Sequence, residues 1–273
     1  MARLRDSPIR GGLLSVEEAA ALATAGFEPV SEVLGAVANR VNPRGSYSVT
    51  VGRRFLSPDY RTFTSSSKNA AGISPAMSAV KAGYRTALRR LRSEAIAVGA
   101  DGVVGVRLST TVVQDGEFPV WGFLAIGTAV RAAGSVHTPN PFTTDLSGAQ
   151  TAAAIRSGWI PVSYLITPCR AIRVVDPLSI KQRARTAPNG EVDAYTDAVT
   201  TCRRQARTDF LRAAENVHAH GAVLSTMSLD VHLETKDVAI AEVTISGTAL
   251  ARFTVPDVAP GSLTIIPLKA GIH

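Results

Sequence analysis

LSVEEAAALATAGFEPVS, Leu14 to Ser31, is written again as LSGAQTAAAIRSGWIPVS, Leu146 to Ser163. Without a gap, Leu14 falls on Leu146, Ser15 on Ser147, Ala20 on Ala152, Gly26 on Gly158 and Pro29-Val30-Ser31 on Pro161-Val162-Ser163, an offset of 132 (158 − 26). Identities in such register point to an internal duplication. Each copy opens with a capping box: Ser15 stands three residues before Glu18, and Ser147 three before Gln150. In that arrangement the hydroxyl accepts from a free first-turn N–H while the longer side chain reaches back to the cap N–H. Alanines carry each helix onward, and Gly26 or Gly158 supplies its stop. The spacing predicts a strand next, over Pro29 to Val37 and Pro161 to Cys169. Phe27 or Trp159 anchors the corner, and the proline takes the first strand position, where no ladder hydrogen bond is lost.

The copies then differ in length. Asn39 to Ser74, rich in Gly, Ser, Asn and Arg, and the shorter Arg170 to Gly190 read as loops. A long amphipathic helix follows in each copy. Tyr84, Leu88, Leu91, Ala95 and Val98 recur at steps of four and three, as do Val199, Cys202, Ala206, Phe210, Ala213 and Val217. Arg85, Arg89 and Arg92, or Arg203, Arg204 and Arg207, lie outside those stripes and give each helix a basic face. Matching turns close the helices, AVGADG at Ala97 to Gly102 and NVHAHG at Asn216 to Gly221, at an offset of 119 (221 − 102). Alternation then signals β structure, with Val104, Val106, Leu108 and Thr110 on one face, and Val223, Ser225, Met227, Leu229 and Val231 in the second copy. The closing strands match most closely, AIGTAV at Ala125 to Val130 against ISGTAL at Ile245 to Leu250. Polar turns at Gln114 to Glu117 and Glu234 to Asp237 make each strand pair a hairpin.

The repeat unit is therefore short helix, strand, long helix, strand, strand. The fold class expected is α+β in two tandem β-α-β-β modules, each a two-layer unit of a three-stranded antiparallel sheet and one long helix, preceded by the short capped helix. The modules are expected at 14–131 and 146–253, with a linker over 132–145 and an extended tail over 254–273. A sheet of three strands leaves edges open, so the modules are expected to associate with each other and with further chains.

LSVEE…AGFEPVSEVLG, YRTALRRLRSEAIAVGADGVVGVR and WGFLAIGTAVRA resemble the YbjQ-like family, which carries the label of a heavy-metal-binding domain. The second copy is a degenerate version that keeps GWIPVS, the long helix and SGTAL but replaces GADGVVGVR with HAHGAVLST. The resemblance implies a dodecin-like β-α-β-β module that assembles into pentameric rings through short additional strands. It brings no catalytic residues with it.

The 273 residues carry a formal net charge of +7, with 45% hydrophobic and 19% charged residues, the balance of a globular protein. Two cysteines, Cys169 and Cys202, make no disulfide framework, and no N-terminal signal pattern is read, so a reducing, cytoplasmic setting is the expectation. Phe118 to Val130, the most apolar stretch, is shorter than the ~18 residues a spanning helix needs. No membrane span is expected.

No motif assigns an activity. No G-x-S-x-G elbow is present, and the glycines from Gly99 to Gly105 follow a helix and enter a strand, the reverse of a phosphate-binding order. No cofactor is expected. His218 and His220 form the one close histidine pair and are weak metal candidates, since a helix end gives histidine other work. Arg89, Arg92, Arg203 and Arg207 are the basic-face candidates for electrostatic nucleic-acid contact, a minor alternative because aromatic residues, at 5%, supply little stacking surface. In the tail, SLTIIPL is a short apolar, β-prone run, so Leu263, Ile265, Ile266 and Leu268 are expected to add to a sheet edge of a neighbouring subunit or partner. The reading is of a non-enzymatic, self-assembling structural or adaptor protein, a ring within a larger assembly of other protein subunits. A ring that binds a small ligand or metal between subunits is the alternative.

Overall fold

The computed structural model describes residues 13–40, 75–115, 118–235, 238–253 and 266–267. Two small sheets share one topology. In the first half, helix α1 (Val16–Thr24) leads into β1 (Phe27–Arg40), and α2 (Pro75–Ala97) precedes the hairpin β2 (Gly102–Asp115) and β3 (Phe118–Ala132) and a short β4 (Phe142–Thr143). In the second, α3 (Gly148–Arg156) leads into β5 (Trp159–Val174), then α4 (Pro177–Gln182), α5 (Asp193–Asn216), the hairpin β6 (Gly221–Thr235) and β7 (Val238–Arg252), and β8 (Ile266–Pro267). The strand orders are β1-β3-β2-β4 and β5-β7-β6-β8. Both capping boxes are complete: Ser15 Oγ accepts from Glu18 N while Glu18 Oε2 accepts from Ser15 N, and Ser147 and Gln150 repeat the exchange. Gly26 and Gly158 both take φ +80°, the left-handed turn that ends each short helix.

Several expectations are corrected. Each sheet has four strands rather than three, the fourth being two residues long, parallel to β2 in the first half and antiparallel to β6 in the second. The strands after the short helices begin at Phe27 and Trp159 themselves. Pro29 and Pro161 therefore sit inside them, at the register irregularities Pro29/Ser31 and Pro161/Ser163, where a missing N–H is tolerated. Arg170 to Gly190 is not a loop throughout, because β5 continues to Val174 and α4 follows, capped by Asp176. Most of the stretch Asn39 to Ser74 lies outside the described residues.

The cores form where the long helices lie on the sheets. Leu91, Ala95, Cys202, Ala206 and Phe210 are buried as the spacing requires, whereas Tyr84, Leu88, Val98 and Val199 flank the cores half-covered. In α5 the buried row runs Ala194, Ala198, Cys202, Ala206, Phe210, Ala214, so Ala214 replaces the expected Ala213. Alternation in the hairpins is interrupted by bulges. At Val104/Arg107, where Gly105 takes φ +61°, the register shifts, so Val103 and Val106 face the helix while Val104 packs with Leu22, Val130 and Phe142 on the other side. The matching shift at Leu224/Thr226 turns Ala222 to the helix and Val223 to Leu146 and Leu250.

The turns after the long helices explain one divergence between copies. Gly99 has φ +68°, and its counterpart His218 has φ 56°, the one left-handed non-glycine among the described residues. A β-carbon there crowds the following carbonyl. His218→Gly is expected to raise stability by up to about 1 kcal/mol, because relief of that crowding outweighs the added freedom of the unfolded chain. Thermal unfolding of the variant measures it, and a lowered midpoint would show that the histidine side chain has a structural role.

Candidate functional site

The chemistry-bearing side chains gather where the two halves meet. The segment leading into α3 runs along the edge of β2: Phe142 N donates to Asp101 O, Thr144 N to Val103 O, Gly105 N to Leu146 O and Val106 N to Thr144 O. Gly102 is required there, because a β-carbon on it would lie 2.2 Å from the Phe142 ring. The threonine of each GTA motif anchors its own lead-in segment. Thr128 Oγ1 accepts from Leu13 N, and Thr248 Oγ1 accepts from Asp145 N, meets Thr144 Oγ1 at 2.8 Å and donates to Asp145 Oδ1 at 2.6 Å.

Asp101 and His220 occupy equivalent positions and perform equivalent tasks. Asp101, its side chain 7% exposed, accepts from Ala132 N, Thr138 N and His137 Nδ1, each at 2.9 Å. His220 Nδ1 accepts from Arg252 N. Burial pushes the Asp101 carboxyl up, but those three bonds outweigh it and hold the group below the usual carboxylate range. A depressed folded pKa contributes stability that is present above the unfolded value, near 3.9, and lost as pH falls through the folded one. Asp101→Asn is accordingly expected to cost about 1–2 kcal/mol at neutral pH and to flatten the acid limb of the stability profile below about pH 4. Denaturation midpoints from pH 2 to 7 measure both.

The interface itself is not two-fold. Helix α1 packs on α3, α2 on β5, and β4 on β5. Gly148 at the start of α3 is buried against Glu18 and Leu22, where a β-carbon would lie 2.8 Å from Glu18 O, yet its counterpart Val16 is 82% exposed. Tyr164 of β5 enters the first core beside Tyr84 and Leu88, while its counterpart Glu32 is exposed. Lys81 Nζ and Asp209 Oδ2 pair across the seam at 2.7 Å.

A groove of about 670 Å³ runs between α2 and the second half. Lys81, Arg85, Arg89 and Arg92 of α2 and Arg212 of α5 line it, with Asp209 the one carboxylate among the described residues. Asp209 is already engaged by Lys81 and by Gln205 Nε2. Arg92 reaches Thr143 Oγ1, its Nε is buried with no partner among the described residues, and burial lowers its pKa. The four basic-face candidates thus divide: Arg89 and Arg92 face this groove, whereas Arg203 and Arg207 are exposed on α5 and do not line it. Sequence reasoning missed Lys81, Arg212 and Asp209 as members, since only the packing of the halves brings them together.

The remaining candidates do not converge. His218 and His220 are exposed at their turn. Cys202 Sγ, fully buried, lies within hydrogen-bond reach of Cys169 O and Ala241 O, and the neighbouring Cys202 together with burial pushes the Cys169 thiol up, so Cys169 is held as a thiol. Among the described residues no group of three or more His, Cys, Asp or Glu could hold a metal ion, and no helix is long and apolar enough to cross a membrane. Leu263, Ile265 and Leu268 lie outside the described residues. The backbone of Ile266 pairs with Ala222 of this chain's own sheet.

Residues 49–133 match the YbjQ family, described as "Putative heavy-metal-binding", which is the resemblance read from the first repeat. The chain is also similar to an encapsulin nanocompartment protein of Mycobacterium tuberculosis, 29% identical over 218 residues, which cover 77% of this chain and 74% of that protein.

Proposed function

We propose that this chain is a non-enzymatic, self-assembling component of a larger protein assembly, in which two dodecin-like modules, 14–131 and a degenerate copy at 146–253, repeat head to tail to close a ring of five chains. The observation that carries this reading is the one-sided seam between the halves. A heterologous contact uses two different faces, so each module keeps one face free for a further copy until the ring closes. The similarity to a nanocompartment protein over most of both chains supports a place in such a compartment. There the tail residues Leu263, Ile265, Ile266 and Leu268 contact another protein of the assembly. Ile266 and Pro267 pair at Ala222 and Gly221, the rung that Thr143 and Phe142 fill in the first half, so a tail drawn to a partner vacates a sheet edge. Native mass spectrometry tests the reading: a mass of five 28.6-kDa chains is expected, and removal of residues 262–273 is expected to change it. A single-chain mass for the intact protein overturns the proposal.

A second reading is favoured by the basic groove. Four arginines with no carboxylate of their own among the described residues repel one another, and a small anion with several oxygens would satisfy them and the Arg92 Nε, which has no partner among those residues. Calorimetric titration with inorganic pyrophosphate at low salt is expected to show binding that Arg85→Ala with Arg89→Ala weakens at least tenfold. Arg203→Ala with Arg207→Ala, outside the groove, leaves it unchanged. Equal loss in both pairs means only diffuse attraction between charges.

A further inference from the structure

The seam between the halves fixes, residue by residue, what a chain-to-chain seam of the same geometry would contain. The first half offers α1, the start of β2 and α2, and the second covers them with its lead-in, α3 and β5. Offsets of 132 for the short helix and first strand, and 119 for the long helix, carry each contact to the next junction. There the rear of the second half meets the front of another copy's first half.

The residues brought together by that transfer are complementary in a different way from those inside the chain. Within the chain, Tyr164 lies beside Tyr84 and Leu88, an aromatic and apolar contact. At the next junction Glu32 takes the place of Tyr164, Arg203 that of Tyr84, and Arg207 that of Leu88. All three positions change together, from apolar to charged, and the charges are opposite. All three are exposed in the single chain. The size of the helix contact changes as well. Gly148 against Glu18 becomes Val16 against Gln150, the small residue of the contact giving way to a large one, and both Val16 and Gln150 are exposed in the single chain. Leu34, 43% exposed, replaces Ile166, which lines the inner groove. The internal Lys81–Asp209 pair has no counterpart, since Thr200 and Arg90 stand in those places, so Glu32 carries the charge match.

We infer that Glu32 of one copy docks between Arg203 and Arg207 of another, and that this ion cluster, flanked by Val16 and Leu34, is the chain-to-chain seam. The basic face of α5 is thereby a surface for a second copy of this chain. The inference rests on the head-to-tail reading above and adds its partner residues. Like charges brought together at such a seam repel and break it, whereas each of these side chains is exposed in the free chain and tolerates reversal there.

Charge reversal tests it. By native mass spectrometry and sedimentation, Glu32→Arg alone, and Arg203→Glu with Arg207→Glu, are each expected to reduce the assembly to single chains, with thermal unfolding of the halves unchanged. The triple variant that combines them is expected to recover the wild-type mass. High salt weakens the wild-type seam in the same direction. Retention of the assembly by both sets of reversals, or failure of the triple variant to recover a folded assembly that each set abolishes, overturns the seam. A wild type that is itself a single chain overturns the assembly reading instead, so the two failures are distinct. Val136→Arg, at an 86% exposed position outside the seam, is expected to leave the mass unaltered, and loss of assembly in that variant also counts against the inference.

Discussion

Gly35→Thr is expected to destabilise the first half by about 3 kcal/mol or more, although threonine is the residue that the second half carries at the matching position, Thr167. A β-carbon on Gly35 would lie 2.0 Å from Ala87 O and 2.4 Å from Leu91 N. Both are helix backbone atoms, so no rotamer change relieves the overlap and α2 must move off the sheet. In the second half the helix stands further away. Thr167 Oγ1 fills that space and bonds to Ala206 O and Ile245 O, each at 3.3 Å. The first half compensates on the helix side: Gly83 leaves room for the Phe123 ring, while in the second half Cys202 shares its cluster with the smaller Val243. Volume is conserved across the pair of swaps rather than at any single site, which is how cores tolerate substitution. Thr167→Gly removes a hydroxyl whose one proton is shared between these two carbonyls, creates no clash and is expected to cost less. Denaturant unfolding of both variants measures the difference, and a Gly35→Thr protein as stable as wild type would contradict the close helix approach.

The shared topology of the two halves was legible because each matching residue has a local task that either half must perform alone. Ser15 and Ser147 cap, Gly26 and Gly158 turn through positive φ, and Gly127 and Gly247 admit the bulged neighbour strand, where a β-carbon on Gly247 would meet Val223 O at 2.1 Å. The long helices were legible from their steps of three and four. What escaped was whatever depends on a partner distant in sequence. Bulges at Val104/Arg107 and Leu224/Thr226 exchange the faces of their strands, which a strict period of two does not foresee. The stretch read as a loop from Arg170 continues β5 because Arg170 to Val174 pair with Glu242 to Val238. The candidate site was half legible. The arginines of α2 stood out as one basic face, but their enclosure by Asp209, Arg212 and β5 arises only from the packing of one half on the other. The histidine pair, read as a weak metal candidate with other work at a helix end, has such work at His220, which accepts from Arg252 N as Asp101 accepts from Ala132 N in the first half.

Thr248→Val is expected to cost about 3 kcal/mol, and Thr128→Val about 1 kcal/mol, although the two threonines occupy the same position of the same motif. Both hydroxyls are buried, and valine preserves their shape, so the loss is almost wholly one of hydrogen bonds. At Thr128 one partner among the described residues, Leu13 N, is released. At Thr248 three groups lose a partner together: Asp145 N, Asp145 Oδ1 and Thr144 Oγ1. Thr144 still holds Leu146 N, and its backbone bonds to Val103 and Val106, so the released segment is the one that joins the two sheets. Weakening it loosens Tyr164, whose N–H donates to Thr143 Oγ1, and with it the wall of the basic groove. Thr248→Val should therefore lower the unfolding midpoint and increase amide exchange at Val103 to Val106 and at Tyr164, whereas Thr128→Val leaves those amides protected. Equal costs at the two positions would mean that the lead-in segment is held by its strand pairing and that the threonine cluster adds nothing to the seam.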